Sequence, residues 1–169
     1  MPSSGNSYKV RLLLAMLGRP YRHIDAEYGS GVTDTAEFRA LNPAGKVPLL
    51  VLDDGRLLAE SNAILLYLAH KTGKLAPPAD SPAYFRMMQW LMWQAAHFGP
   101  MLGQALHFLK FNPGKSEYAE HRYYQEALRL YRVLNDRLAD RDYIADEFSI
   151  VNIAAWPWAS RFEFKQIDL

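Results

Sequence analysis

Two short segments of this chain carry residues that could bind a small charged ligand. The first runs from Asn42 to Leu50 and contains a lysine and a Val-Pro peptide, and the second begins with Glu60 and Ser61. A lysine and a carboxylate attract opposite charges, and a hydroxyl group can donate or accept a hydrogen bond. Together these groups suit a ligand that carries both an ammonium group and a carboxylate.

The Val47-Pro48 peptide marks the beginning of a predicted strand. Proline has no N–H and a fixed φ, so Pro48 indicates a sheet edge or a tight turn, including a turn with a cis bond. Val47 is pushed into an extended conformation by the proline after it. An extended residue at a sheet edge can pair its N–H and C=O with a peptide ligand, and Lys46 adds a positive charge beside it.

A helix predicted from Ser61 to Thr72 places the second segment at a helix N-terminus. Apolar residues follow Ser61 at helical spacing, and Gly73 provides a stop. The free N–H groups and the helix dipole attract a carboxylate there, whereas Glu60 supplies a partner for an ammonium group. Taken separately, the two segments are more typical of a turn before a strand and of an ordinary capped helix than of a binding site.

In this order and spacing, the two segments resemble the N-terminal domain of the soluble, bacterial-type glutathione transferases. The resemblance implies that the Val-Pro peptide is cis and that the backbone of Val47, before Pro48, pairs with the cysteinyl unit of glutathione. It implies that Glu60 and Ser61 hold the γ-glutamyl group and that Lys46 lies near the glycyl end. Glutathione is thus the expected co-substrate.

Two further motifs extend the resemblance over most of the chain. Near the start, Ser4-Gly5-Asn6-Ser7 resembles the turn that faces the thiol, and by alignment with serine-type and asparagine-type members it implies Ser4 and Asn6 as catalytic residues. From the residues alone, both are equally typical of cap and turn positions. Near the end, Ser149 and Asn152 predict a capping box with a structural role.

The resemblance implies an α+β fold with two domains. Residues 1–76 are predicted to form a thioredoxin-like unit, with a helix, a strand around Tyr21 to Ala26, a polar stretch of little regular structure from Glu27 to Arg39, a hairpin and a helix. The hairpin prediction rests on the turn signal of Asp53-Asp54-Gly55. Family members begin with a strand before Ser4, and we expect that strand to be missing here. Without it, we expect weak glutathione binding unless another segment or subunit pairs with the exposed edges.

The remainder is predicted to be helical. Residues 77–83 form a proline-rich linker, and residues 84–169 are expected to form an all-α domain without the last helices of the family. Residues Tyr84 to Leu109 are predicted to form either one long helix or two helices with a bend near Gly99-Pro100, because proline removes a hydrogen bond. A second helix, roughly from Glu117 to Ala139, has the spacing of an antiparallel bundle.

Composition excludes several kinds of function. The chain has 19 basic and 18 acidic residues, so we expect neither nucleic acid nor a membrane as a partner. It has no cysteine, which excludes disulfides, thiolate metal sites and relatives that use a cysteine of their own. Any sulfur chemistry must then belong to the ligand. The histidines lack metal-ligand spacing, so no metal is predicted. The apolar run from Leu12 to Leu17 is too short to span a membrane, and we expect a cytoplasmic protein.

The resemblance implies a glutathione S-transferase that activates the glutathione thiol for attack on a small hydrophobic electrophile, as a homodimer. A second hypothesis is a disulfide reductase or peroxidase of the same fold that uses bound glutathione and no protein cysteine. A third is a non-catalytic binding or assembly module. Conjugation, hydroperoxide and disulfide assays distinguish the three.

Overall fold

The computed structural model describes residues 4–26, 29–163 and 167 of the 169-residue chain. The chain divides into two compact units, Met1–Ala76 and Pro77–Leu169. Predictions that fall on residues 1–3, 27–28, 164–166 and 168–169 lie outside the described residues.

The first unit contains the predicted helix, hairpin and helix, together with one unpredicted helix. Its elements are α1 (Gly5–Met16), a 3₁₀ turn (Val32–Asp34), α2 (Ala36–Leu41), β1 (Leu49–Val51), β2 (Leu57–Ala59) and α3 (Ser61–Thr72). Helix α1 packs against α3, and Leu13, Ile64 and Leu65 are fully enclosed. This apolar contact anchors the two helices whose first turns carry the candidate site residues.

The polar stretch before residue 39 is more regular than predicted. Its first two residues lie outside the described part of the chain, but α2 and the 3₁₀ turn lie within it. Thr35 caps α2, because its Oγ1 accepts a hydrogen bond from the N–H of Phe38 at 3.1 Å. The prediction of little regular structure was therefore wrong for this segment.

The predicted hairpin is confirmed, whereas the prediction of a strand around Tyr21 to Ala26 is wrong. Strands β1 and β2 pair antiparallel, with Leu49 opposite Ala59. The segment from Tyr21 to Ala26 has no strand partner among the described residues, and only Ala26 in it is buried. Its composition favours a strand, but a strand forms only when a neighbour completes its hydrogen bonds.

The second unit is helical. Its elements are α4 (Pro82–Trp93), a π turn (Gln94–Phe98), α5 (Gly99–Leu106), a second π turn (His107–Phe111), α6 (Glu117–Leu138) and α7 (Ile150–Ala159). Near Gly99-Pro100, where the sequence predicts a bend, the structure has the first π turn, in which the N–H of Gly99 donates to the carbonyl of Gln94. A Cβ on Gly99 would lie 2.9 Å from Nε2 and 3.2 Å from the carbonyl oxygen of Gln94, so a larger residue there would force Gln94 to shift.

Two polar contacts secure the last helix. One half of the predicted capping box forms at its start, where Oδ1 of Asn152 accepts a hydrogen bond from the N–H of Ser149 at 3.2 Å, whereas Oγ of Ser149 makes no hydrogen bond within the described residues. At its other end, the hydroxyl of Tyr131 in α6 lies 3.1 Å from the carbonyl oxygens of both Trp158 and Ala159. Both contacts hold α7 in place, which supports the structural role predicted for the capping box.

Candidate functional site

The hairpin brings the two sequence segments to the same end of the sheet. Because Leu49 pairs with Ala59, the residues just outside the ladder are Pro48 and Glu60. The Val47-Pro48 peptide bond is cis, as the resemblance implies. Both residues of that peptide are half-buried. Groups that are separate in the sequence are thus neighbours at the open end of the hairpin.

A buried asparagine holds the loop that leads into β1. Nδ2 of Asn42 donates a hydrogen bond to the carbonyl of Lys46 at 2.7 Å, and its Oδ1 accepts one from the N–H of Ala44 at 3.2 Å. The side chain of Asn42 is buried, whereas that of Lys46 is exposed. The loop backbone is therefore held from inside, while the lysine ammonium remains accessible to a ligand carboxylate.

The same loop requires a glycine. Gly45 has φ +61°, in the left-handed region, and a Cβ there would lie 3.1 Å from the carbonyl oxygen of Thr33 and 3.2 Å from Cζ of Arg39. Both the backbone conformation and the available space exclude a side chain. Gly45 therefore contributes to the loop path that ends at Val47.

Glu60 has an unusual backbone conformation immediately before α3. Its φ is +67° and its ψ is 111°, and its side chain is exposed and does not cap the helix. Its carbonyl accepts the first helical hydrogen bond, from the N–H of Ile64 at 3.0 Å. A non-glycine residue in such a region costs about 1–3 kcal/mol, and such residues concentrate at functional sites. The carboxylate can meet a ligand ammonium group here.

Lys9 of α1 reaches the start of α3. Its Nζ donates hydrogen bonds to Oγ of Ser61 at 3.3 Å and to Oδ1 of Asn62 at 3.2 Å. Lys9 is only 2% exposed, which is rare for a lysine unless polar groups surround its ammonium. A buried lysine thus lies behind Ser61, which was predicted to hold the γ-glutamyl group together with Glu60.

Burial changes the protonation of this lysine. It lowers the pKa of the Lys9 ammonium to about 7, and the negative charge of Glu60 opposes part of that shift. The positive charge is therefore only partly present near neutral pH. An incoming carboxylate beside it would favour the protonated form.

The two predicted catalytic residues lie in the first turn of α1. Ser4 is the N-cap of this helix, and its Oγ accepts a hydrogen bond from the N–H of Ser7 at 3.2 Å. Asn6 follows in the first turn and is half-buried. The cap role of Ser4 is thus observed, and the thiol-facing role of Ser4 and Asn6 stays a prediction.

Sequence reasoning missed Lys9 and Asn42. A signal for Lys9 existed, because it lies four residues before Leu13 on the apolar face of α1, where a charged residue needs a partner. Asn42 carried a weaker signal, since asparagine before a proline-glycine turn often bonds to its own loop. The partners of Lys9 could not be predicted, because they lie on a distant segment.

Two classes of site have no support in the structure. The described residues contain no cluster of three or more histidine, aspartate or glutamate side chains that could hold a metal ion. Within the same residues, every helix is too short or too polar to cross a bilayer.

Comparisons with known proteins identify similar chains. The sequence profile of the glutathione S-transferase N-terminal domain matches residues 3–71. The disulfide-bond oxidoreductase YfcG of Escherichia coli K12 is 40% identical over 171 residues, which cover 97% of this chain and 79% of that protein.

Solved structures are similar as well. A glutathione transferase from Pseudomonas putida, with one glutathione disulfide bound per subunit, has a TM-score of 0.89 at 32% identity over 97% of this chain and 74% of that one. A Burkholderia graminis glutathione transferase, with two glutathione molecules per subunit, has a TM-score of 0.86 at 35% identity, with the same coverage. These similarities confirm the predicted fold, a thioredoxin-like N-terminal domain, here with a two-stranded sheet, followed by a helical domain.

Proposed function

Because this chain belongs to the glutathione S-transferase family, we propose that it binds glutathione and uses the ligand's thiol to reduce disulfide bonds. The observation that carries this proposal is the 40% identity, over 97% of this chain, with a protein named a disulfide-bond oxidoreductase. The chain itself contains no cysteine. In thiol–disulfide exchange every sulfur would then belong to glutathione or to the substrate. The relatives support the same reaction, since one is named a disulfide-bond oxidoreductase and others hold glutathione disulfide or two glutathiones.

The reaction consumes two glutathione molecules for each disulfide. The thiolate of the first attacks one substrate sulfur, which breaks the S–S bond, releases one substrate thiol and forms a mixed disulfide. The thiolate of the second attacks the glutathione sulfur of that mixed disulfide. Glutathione disulfide and the second substrate thiol are formed, so two electrons pass from the two glutathiones to the substrate.

The described residues suggest a role for each part of the glutathione molecule. The exposed Lys46 would pair with the glycyl carboxylate, and the backbone of Val47 before the cis Pro48 would pair with the cysteinyl unit. Glu60 would bind the γ-glutamyl ammonium, and Ser61 would donate to the γ-glutamyl carboxylate at the start of α3.

Ser4 and Asn6 would act on the thiol itself. The Ser4 oxygen already accepts a hydrogen bond as a cap, so its own O–H can donate, and the Asn6 amide offers two N–H donors. Donors aimed at the sulfur, together with the N-terminal dipole of α1, would favour the thiolate. Lowering a thiol pKa by two units corresponds to about 2.7 kcal/mol of thiolate stabilisation.

A second reaction is conjugation, in which the same thiolate attacks a carbon atom of a small hydrophobic electrophile. The similar Pseudomonas putida and Burkholderia graminis proteins are named glutathione transferases, which favours this candidate. Hydroperoxide reduction would use the same thiol on an oxygen atom. Homodimer formation, a cytoplasmic location and a purely binding role also stay predictions.

The deciding experiment compares three reactions of the purified protein with glutathione. We expect reduction of bis(2-hydroxyethyl) disulfide, followed by coupled glutathione reductase, to exceed both conjugation of 1-chloro-2,4-dinitrobenzene and reduction of cumene hydroperoxide. Pretreatment of the protein with iodoacetamide, removed before assay, should change nothing. A dominant conjugation rate would contradict the disulfide proposal, and binding of glutathione without any turnover would favour the non-catalytic module.

A further inference from the structure

The hydrogen bonds of Lys9 determine how the Ser61 hydroxyl can point. A lysine ammonium has three N–H donors and no acceptor. Oγ of Ser61, at 3.3 Å from Nζ, must therefore accept from Lys9 when the lysine is charged. Oδ1 of Asn62, a neighbouring acceptor, is also bonded to Nζ, at 3.2 Å. The hydroxyl hydrogen of Ser61 is consequently directed away from Lys9 and can donate to an incoming group.

We propose that Lys9 is a positioning residue for the α-carboxylate of the γ-glutamyl group, because it orients the Ser61 hydroxyl as a donor and places a positive charge behind it. This inference deepens the proposed function and rests on the proposed binding of glutathione at the start of α3. The γ-glutamyl head would meet complementary charges, with Lys9 near its carboxylate and Glu60 near its ammonium. Lys9 would thus make the site selective for an α-amino acid head.

Deprotonation of Lys9 removes both the orientation of the Ser61 hydroxyl and the positive charge behind it. A neutral amine has a lone pair, so Ser61 can donate its hydrogen to Nζ instead of to a ligand. Burial lowers the pKa of Lys9 to about 7, with an opposing effect from Glu60, the charged group that acts on it from the start of α3. Two of its hydrogen-bond partners, Ser61 and Asn62, are uncharged. Selectivity for the carboxylate should therefore decrease as pH rises above neutrality.

The test compares two ligands that differ only in the carboxylate. S-methylglutathione is compared with γ-aminobutyryl-S-methylcysteinylglycine, which lacks the α-carboxylate, and S-methylation removes the titration of the thiol. Dissociation constants are measured by calorimetry at pH 6, 7 and 8 for the wild type, K9M, K9R and K71M. Lys71 is the matched control, because it is exposed on α3 and bonds to the hydroxyl of Tyr67.

We expect the wild type to prefer S-methylglutathione by about ten- to a hundredfold at pH 6, the range of a charge-assisted hydrogen bond. K9M should reduce this preference to a few-fold at every pH. K9R should retain most of it, because arginine keeps its charge, and K71M should match the wild type. The wild-type preference should decrease from pH 6 to pH 8, while that of K9R stays constant.

Equal weakening of both ligands by K9M, with the preference intact, would overturn the inference and reduce Lys9 to a structural residue. If K9M does not fold, a wild-type preference that is constant between pH 6 and pH 8 overturns it as well. Failure of the wild type to bind either ligand overturns both this inference and the proposed function. The protein could instead show a carboxylate preference that depends on Lys9 and yet reduce no disulfide. That result would support this inference and contradict only the proposed disulfide reduction.

Discussion

Lys9 in α1 and Ser61 in α3 are 52 residues apart in the sequence, and their side chains meet at a distance of 3.3 Å. The contact lies beside the apolar packing of the two helices, so the lysine loses most of its water. The burial of the charged Lys9 ammonium should therefore lower the free energy of unfolding by a measurable amount.

Replacement of Lys9 by methionine should flatten the dependence of stability on pH. The folded-state pKa of Lys9 is about 7, below its ordinary value of 10.5, so between these limits the unfolded chain binds more protons. Stability of the wild type should therefore rise with pH across this window, by about 5 kcal/mol at most, and the full cost of the buried charge should be present below pH 7.

The measurement is urea unfolding at pH 6, 7.5 and 9. It should be followed by circular dichroism, because all 4 tryptophans lie in the second unit. The advantage of K9M over the wild type should be largest at pH 6 and should shrink at pH 9. Parallel stability profiles for the two proteins would contradict the prediction.

Loss of the Glu60 carboxylate should weaken ligand binding, whereas replacement by glycine should relieve the backbone strain at this position. E60A keeps a side chain at φ +67°, whereas E60G relieves the backbone strain. We expect E60G to have a free energy of unfolding about 1 kcal/mol higher than E60A, after the extra chain entropy of glycine is included. Both should bind S-methylglutathione more weakly than the wild type, because both lack the carboxylate. Equal unfolding free energies for the two variants would argue against strain at this position.

Asn42 should stabilise the loop before the cis peptide. N42A removes two hydrogen bonds from a buried position, so we expect a loss of about 1–3 kcal/mol in the free energy of unfolding and weaker ligand binding. N42D keeps the acceptor for Ala44 but places a carboxylate against the carbonyl of Lys46. It should therefore be at least as destabilising as N42A. Urea titrations test this prediction, and a wild-type midpoint for both variants would show that the hydrogen bonds of Asn42 do not stabilise the loop.

Measurements of stability and of the pKa of bound glutathione should distinguish the helix-cap role of Ser4 from a role of Ser4 and Asn6 at the thiol. S4A removes the cap of α1 and should cost about 1 kcal/mol of stability, whereas N6A should cost less. If both side chains face the thiol, each variant should raise the pKa of bound glutathione, measured from the ultraviolet absorbance of the thiolate across pH. An unchanged thiol pKa in both variants would leave them as cap and turn residues.

The absence of cysteine gives a direct chemical test of the mechanism. Mass spectrometry during turnover with a disulfide substrate should detect no mixed disulfide on the protein, because the chain has no sulfhydryl to form one. Small-molecule mixed disulfides between glutathione and the substrate should appear instead. Loss of these intermediates, with turnover intact, would contradict the proposed two-step exchange.

Local signals in the sequence were sufficient for the hairpin and for α3. The turn around Gly55 and the helix start at Ser61 depend on a few adjacent residues, and the structure confirms both. The strand predicted around Tyr21 was wrong because pairing depends on a neighbour elsewhere in the chain. Helix α2 was missed because it has only six residues and buries none of them, so no apolar period marks it.

The site was predictable only in part. Pro48 and Glu60 were identified from their spacing, and the hairpin register explains why they lie at one end of the sheet. Lys9 could be suspected as a charge on an apolar face, but its bonds to Ser61 and Asn62 depend on the packing of two helices. Interactions of that kind require the tertiary structure.

The register of the hairpin also limits how this region can vary. Leu49 faces Ala59 only if the turn between β1 and β2 keeps its length, since one added residue would exchange the two faces of a strand. Insertions in that turn should therefore be selected against, even though residues 53–56 are exposed. The exposed segment around Gly114, between the second π turn and α6, belongs to no strand pair, so an insertion there would shift no register, although it would have to keep the hydrogen bond from the N–H of Gly114 to Oε1 of Glu120 at 2.7 Å.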